Sequence, residues 1–143
     1  MRNSFTIIEL VFVIVILGIL AGVAIPRLFS GIDEAKITKA KTQVANIRAG
    51  ISSLYSKNIM AGNVDKCPEL EKSISDDVLF ENVIYPPIKK DSGDIKWHYE
   101  NNSSSETNYT LKVGEYMVRF TYEKNTSKNC AFECNDSNSP LCK

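Results

Sequence analysis

The feature that most constrains this chain is an apolar run almost at its start. From Phe5 to Ile25, 21 residues, only Glu9 is ionisable and only Thr6 is otherwise polar. As a helix this run spans about 31 Å, close to the hydrocarbon thickness of a bilayer. It argues for a membrane-spanning helix and against a freely soluble cytosolic monomer. Met1-Arg2-Asn3-Ser4 precede it, and Arg2 is their single basic side chain. That charge favours a cytoplasmic start, with the bulk of the chain across the membrane. A secretory signal peptide is the competing reading, with Ala21, Gly22 and Ala24 as small residues near the far end. Against it, the run is longer than a usual signal core, it holds a carboxylate, and the helical period continues beyond it.

Glu9 is the informative residue. An ionised carboxylate in lipid costs at least ~2.5 kcal/mol, so it calls for a partner. No basic side chain lies one helical turn away within the run. An α-amino group at Phe5, were Phe5 a new terminus, is the nearest cation, reached within one chain or from a neighbouring helix. The alternative is a carboxylate tolerated near the headgroups, one turn into the helix.

Ser4-Phe5-Thr6-Ile7-Ile8-Glu9-Leu10, followed by Gly18-Ile19-Leu20-Ala21-Gly22-Val23-Ala24-Ile25-Pro26, resembles a type IV prepilin amino terminus. That family includes type IV pilins, type II secretion pseudopilins and competence pseudopilins. The resemblance covers residues 1–26 and is specific: short basic leader, Phe, Thr, Glu, long apolar run and Pro at the matching offset. It implies that a membrane aspartic peptidase cuts between Ser4 and Phe5 and N-methylates Phe5. Ser4 stands where the family usually has Gly. Glu9 matches the glutamate that pairs with a neighbour's amino terminus during filament assembly.

Beyond Pro26, apolar residues recur at Ile37, Ala40, Val44, Ile47, Ile51 and Leu54, one stripe of an amphipathic helix. Gly62-Asn63 is a suitable carboxy-terminal cap. Pro26 removes a backbone donor, and with Gly18 and Gly22 it predicts a weak, bent stretch. The glycines also form a G-x-x-x-G that allows close helix approach. By resemblance this segment is helical in a lone subunit and unwinds in an assembled filament.

The chain therefore divides on paper into a leader (1–4), a transmembrane and assembly half-helix (5–26) and an amphipathic half-helix (27–62). A connecting region (63–94) and a sheet with a Cys-rich tail (95–143) follow. In the connecting region, Cys67-Pro68-Glu69-Leu70 and Val78-Leu79-Phe80 read as short helices, the second capped by Ser75 or Asp76. Lys89-Lys90-Asp91-Ser92-Gly93-Asp94 reads as a turn. Residues 95–99, 109–113 and 116–122 alternate as strands, with Gly114-Glu115 as a two-residue hairpin loop. Trp97, Leu111, Val118 and Phe120 are expected to cover the helix stripe. The expected fold class is α+β and pilin-like: one long amino-terminal helix on a small antiparallel sheet, with a disulfide-stabilised tail.

The four cysteines, Cys67, Cys130, Cys134 and Cys142, suggest disulfides in an exported domain. If 129–135 is extended, Cys130 and Cys134 lie ~13 Å apart, too far to bond. Two of the three pairings remain open. Zinc is disfavoured, because the spacing lacks C-x-x-C and His98 is the sole histidine. Asp91-x-Gly-Asp94 offers too few ligands for calcium and reads as a turn.

Four Asn-x-Ser/Thr patterns carry an acidic residue two places before the Asn, at Asn102, Asn108, Asn125 and Asn135. Some bacteria require that extended pattern for N-glycosylation in the periplasm. The bland alternative is a set of Asn- and Ser-rich loops.

The length of 143 residues suits one domain, and 17 basic against 17 acidic residues give no global pull toward nucleic acid. No nucleophile–base pair or phosphate-binding glycine loop is present as a motif, and Lys89, Lys90 and Lys96 are offset by Asp91 and Asp94. The expectation is a structural subunit with no enzyme activity and no cofactor, serving secretion, DNA uptake, adhesion or motility. By resemblance its partners are other such subunits in homo- or hetero-polymers, the prepilin peptidase, a platform protein, an assembly ATPase and inner-membrane lipid. A membrane-anchored periplasmic binding protein that never polymerises, and a secreted protein that loses its apolar region, are the rival readings.

Overall fold

In the computed structural model, residues 6–73 and 77–143 are described, the side chains at 25–30, 32 and 102 excepted. The chain divides into two compact units, Met1–Ala35 and Lys36–Lys143. One α-helix, α1 (Ile7–Met60), contributes to both. In the first unit every described side chain is exposed.

The second unit is built on the amphipathic end of α1. Ala40, Val44, Ile47 and Ile51 are buried and Ile37 packs beside them, as the three-and-four spacing requires. The helix stops at a Schellman motif. Asn63 N–H donates to the Asn58 carbonyl (2.8 Å) and Gly62 N–H to Ile59 (2.9 Å). Gly62 takes φ +85°, which glycine adopts without a Cβ clash.

The strands are β1 (Val78–Leu79), β2 (Ile88–Lys89), β3 (Asp91–Ser92), β4 (Ile95–Asn102), β5 (Glu106–Val113), β6 (Tyr116–Glu123) and β7 (Phe132–Cys134). β3 to β7 form an antiparallel sheet in chain order, while β1 and β2 pair separately. Alternation sends Thr107, Tyr109, Leu111 and Val113 of β5 to the buried face. Register places Trp97 opposite Leu111, and Leu111 opposite Val118. Tyr109 faces Phe120 and Tyr122 faces Phe132. These side chains and the α1 stripe form one hydrophobic cluster, including all four residues expected to cover the helix. Trp97 Nε1 donates to Gln43 Oε1 of α1 (2.9 Å), and Arg48 Nε of α1 donates to the Phe132 carbonyl (3.0 Å). The apolar interface is thus fixed in register by two polar bonds.

Two glycine turns close hairpins. Gly114-Glu115 joins β5 to β6 with Gly114 at φ +57°, the position at which a two-residue loop needs positive φ. Gly93 does the same between β3 and β4 at φ +74°.

The connecting region departs from the expected short helices. Among its described residues there is no helix. Val78 and Leu79 pair with Lys89 and Ile88, and Phe80 follows at φ +62°, so a helix cannot continue through it. Phe80 is fully buried, with ring centroids 4.8 Å from Tyr109 and 5.3 Å from Trp97. Tertiary contacts override local propensity here. Cys67 is disulfide-bonded, and the carbonyl of Pro68 accepts the Tyr122 hydroxyl (2.7 Å). Ser75 and Asp76, the expected caps, lie outside the described residues. The sheet also begins before residue 95, because β3 is its first strand.

Glu71 pins this segment to the core. One carboxylate oxygen accepts Phe80 N–H (2.9 Å) and the other accepts the Tyr109 hydroxyl (3.1 Å). Burial outweighs both bonds and holds its pKa above the ordinary carboxylate range. Burial, with Glu71 beside it, likewise pushes the Tyr109 phenol upward.

Candidate functional site

The described chain begins at the amino-terminal end of α1, and its first polar contacts involve Glu9. The Thr6 carbonyl accepts from Leu10 N–H (3.2 Å), which makes Thr6 the N-cap. Glu9, three residues on, accepts both Thr6 N–H (2.9 Å) and the Thr6 hydroxyl (2.8 Å) through Oε2. Glu9 N–H points back at the Thr6 hydroxyl (3.4 Å). This is a reciprocal capping box. The spacing Thr6-x-x-Glu9 carries that signal in the sequence; reading Glu9 only as a charge in need of a cation passes over it. Ser4 and Phe5, the expected cleavage and methylation positions, lie outside the described residues.

Behind the box, Ile7–Ala24 is long and apolar enough to cross a membrane, and none of it is buried. Ile7, Phe12, Leu17, Ile19 and Val23 are all largely exposed. A Cβ added at Gly18 or Gly22 would meet nothing within 4 Å, so both glycines leave their side of the helix open to a close approach. The helix is continuous through residue 26; the side chain of Pro26 lies outside the described ones.

The cysteines resolve into Cys67–Cys130 and Cys134–Cys142, with Cα separations of 5.5 and 5.7 Å. Of the two open pairings, this one ties the tail to the chain after the helix and closes a small loop within it. The segment 129–135 is not uniformly extended, since Asn129 and Cys130 take φ +54° and +53° and only 132–134 is strand. Those two left-handed residues turn Cys130 toward Cys67.

The remaining polar candidates have structural partners. Asp91 accepts from Lys96 Nζ (2.9 Å) and from Gly93 N–H (3.1 Å). The Lys96 bond holds its pKa below the usual carboxylate range. Asp94 pairs with Lys36 (3.2 Å). Among the described residues, no three His, Cys, Asp or Glu side chains are grouped to hold a metal. His98 is exposed on β4. On the outer sheet face, Glu100 accepts the Thr110 hydroxyl and pairs with Arg119 Nε (2.9 Å), and its pKa is lowered by the Thr110 bond first.

Comparison with known proteins bears on the same features. Type II secretion system core protein G of Pseudomonas aeruginosa is 44% identical over 50 residues. This match supports the pseudopilin family for the chain. It spans 35% of this chain and 35% of that protein's length. No family model matches the chain, and no solved structure does. Pseudopilins are structural, non-enzymatic proteins. The apolar amino-terminal helix, the amphipathic helix packed on an antiparallel sheet and the disulfides form a pilin-like α+β architecture. The exposed helix and the pseudopilin likeness fit anchoring in an inner membrane.

Proposed function

We propose that this protein is a filament subunit of a type II secretion-like or type IV pilus-like assembly. It waits in the inner membrane with residues 36–143 in the periplasm, is cut between Ser4 and Phe5, and is N-methylated at Phe5. A cytoplasmic ATPase, acting through a platform protein, then polymerises it with copies of itself and related subunits. The polymer serves protein secretion, DNA uptake, or adhesion and motility.

One observation carries this reading. Ile7–Ala24 is wholly exposed and carries near its start an acid, Glu9, whose hydrogen bonds among the described residues cap its own helix. Burying that helix among others exchanges its exposed surface for contacts with neighbouring helices and desolvates Glu9. A carboxylate in such a bundle is costly unless a cation meets it. The new α-amino group of a neighbour's Phe5 supplies that cation and thereby the register between subunits. Gly18 and Gly22 let the helices approach closely, and the stretch through Pro26 provides a locally weak element that yields during packing.

The test is Glu9→Ala in cells carrying the assembly machinery. The variant should stay folded and membrane-bound, yet give no filament on shear preparation or cross-linking. Normal filament yield would remove the role. A membrane-anchored binding protein that never polymerises would instead retain Met1 and remain monomeric under cross-linking.

A further inference from the structure

Four sequons carry the acid at the −2 position, and the fold treats them unequally. Asn108 lies within β5, paired to Asn101 on one side and Thr121 on the other. Its Nδ2 donates to Asn101 Oδ1 (3.0 Å) and Glu106 Oε1 (3.4 Å), and its Oδ1 accepts the Thr121 hydroxyl (2.7 Å). Asn102 ends β4, register-paired with the buried Thr107. Asn135 follows disulfide-bonded Cys134; its Nδ2 donates to the Thr121 hydroxyl (3.1 Å) and its N–H to the Arg119 carbonyl (2.9 Å). A transferase must draw its acceptor peptide into a groove, which these three cannot enter without breaking ladder bonds or opening a disulfide loop.

Asn125 differs. It is exposed, follows β6 and caps the short 3-10 helix Thr126–Lys128, its carbonyl accepting Lys128 N–H (3.0 Å) and Cys130 N–H (3.2 Å); of its sequon only the −2 Glu123, the last residue of β6, lies in a ladder. Its Oδ1 accepts Ser127 N–H (2.9 Å), so the oxygen holds the local turn and Nδ2 takes no part in that bond. The −2 acid, Glu123, pairs with Lys128 Nζ (2.6 Å), a surface contact that can exchange for a transferase cation. The +2 residue, Ser127, is exposed as well.

We propose that Asn125 is an N-glycosylation acceptor, the sequon that the folded domain offers to a periplasmic oligosaccharyltransferase. The donor is a polyprenyl-diphosphate-linked oligosaccharide. Asn125 Nδ2 attacks the anomeric carbon and the C–N bond forms. The C–O bond to the diphosphate breaks, polyprenyl diphosphate departs with the electron pair, and one amide proton is lost to the transferase's base. The proposal rests on the periplasmic placement proposed above.

The full chain is expressed in cells holding a transferase that requires the −2 acid, and intact masses are compared with protease accessibility of the domain from the periplasmic side. Wild type should carry one glycan increment. Asn125→Gln and Ser127→Ala should both lose it; the second keeps the Asn125 side chain and the backbone N–H it accepts, and the mass deficit of two disulfides reports folding in each. Asn108→Gln and Asn135→Gln should keep the increment. Peptide mass alone on an accessible, disulfide-bonded domain overturns the acceptor while leaving the placement intact. An increment that survives Asn125→Gln overturns it too. A domain inaccessible from the periplasm removes both the placement and the acceptor.

Discussion

Glu9 caps its own helix, and we propose a second purpose for the same carboxylate. In the lone chain it closes a capping box with Thr6, and in the proposed polymer it meets a neighbour's amino terminus. The two roles separate by substitution. Glu9→Gln preserves the box, because Gln also serves at that position, but removes the charge. Its helix content and membrane association should match wild type while cross-linked filament falls to background. Thr6→Ala should cost the cap about 1 kcal/mol of local helix stability, read as faster amide exchange over the first turn. Glu71 gives a second residue-scale prediction, in the folded domain. Its pKa is raised on folding by burial, so the folded state holds the proton more tightly than the unfolded one. Stability should therefore fall as pH rises from the ordinary carboxylate range through the raised value. Glu71→Gln should flatten that slope in urea titrations run across the same range. Neither the box nor the Glu71 pair emerged from the sequence reading, for different physical reasons. Thr6-x-x-Glu9 is a local pattern present in the chain, but the same carboxylate also reads as an uncompensated charge in an apolar run. Glu71 is one acidic residue among many, and only the fold brings Phe80 and Tyr109 to it.

At the scale of elements, the long helix was legible because its stripe obeys one period and its end is a glycine. Gly50 adds what periodicity cannot show. A Cβ there would stand 2.1 Å from the Val83 carbonyl oxygen, so the helix and the loop after Phe80 meet backbone to backbone. Gly50→Ala should lose about 1–3 kcal/mol by overpacking, against a gain of ~1 kcal/mol in helix propensity, and thermal unfolding should report a net loss. The hairpin at Gly114 was legible for a similar reason, since strand alternation on both sides isolates a two-residue loop. The 63–94 segment was not. Its shape depends on Cys67, Pro68 and Phe80 meeting partners far along the chain, and such contacts leave no local period. The disulfides follow the same division: chemistry was readable, connectivity was not. Cys67–Cys130 spans 63 residues and Cys134–Cys142 spans 8. Loop entropy makes the first worth about 4 kcal/mol and the second about 2.5 kcal/mol. Replacing each pair with Ser should show that order in chemical unfolding.

For the whole molecule, the apolar helix states a requirement that the chain cannot meet alone. Among the described residues, nineteen buried hydrophobic side chains make the folded core, and all of them belong to 36–143. The described side chains before residue 36 are exposed, so their apolar surface needs lipid or other helices. The sequence carries that requirement openly, because 21 residues with one acid admit few fates. The proposed filament fate requires processing between Ser4 and Phe5. The most direct test is the amino-terminal peptide of the protein taken from its native cells, read by tandem mass spectrometry. A peptide beginning at N-methylated Phe5 is expected. A working form that still begins at Met1, or that begins beyond residue 21, would contradict the filament-subunit account.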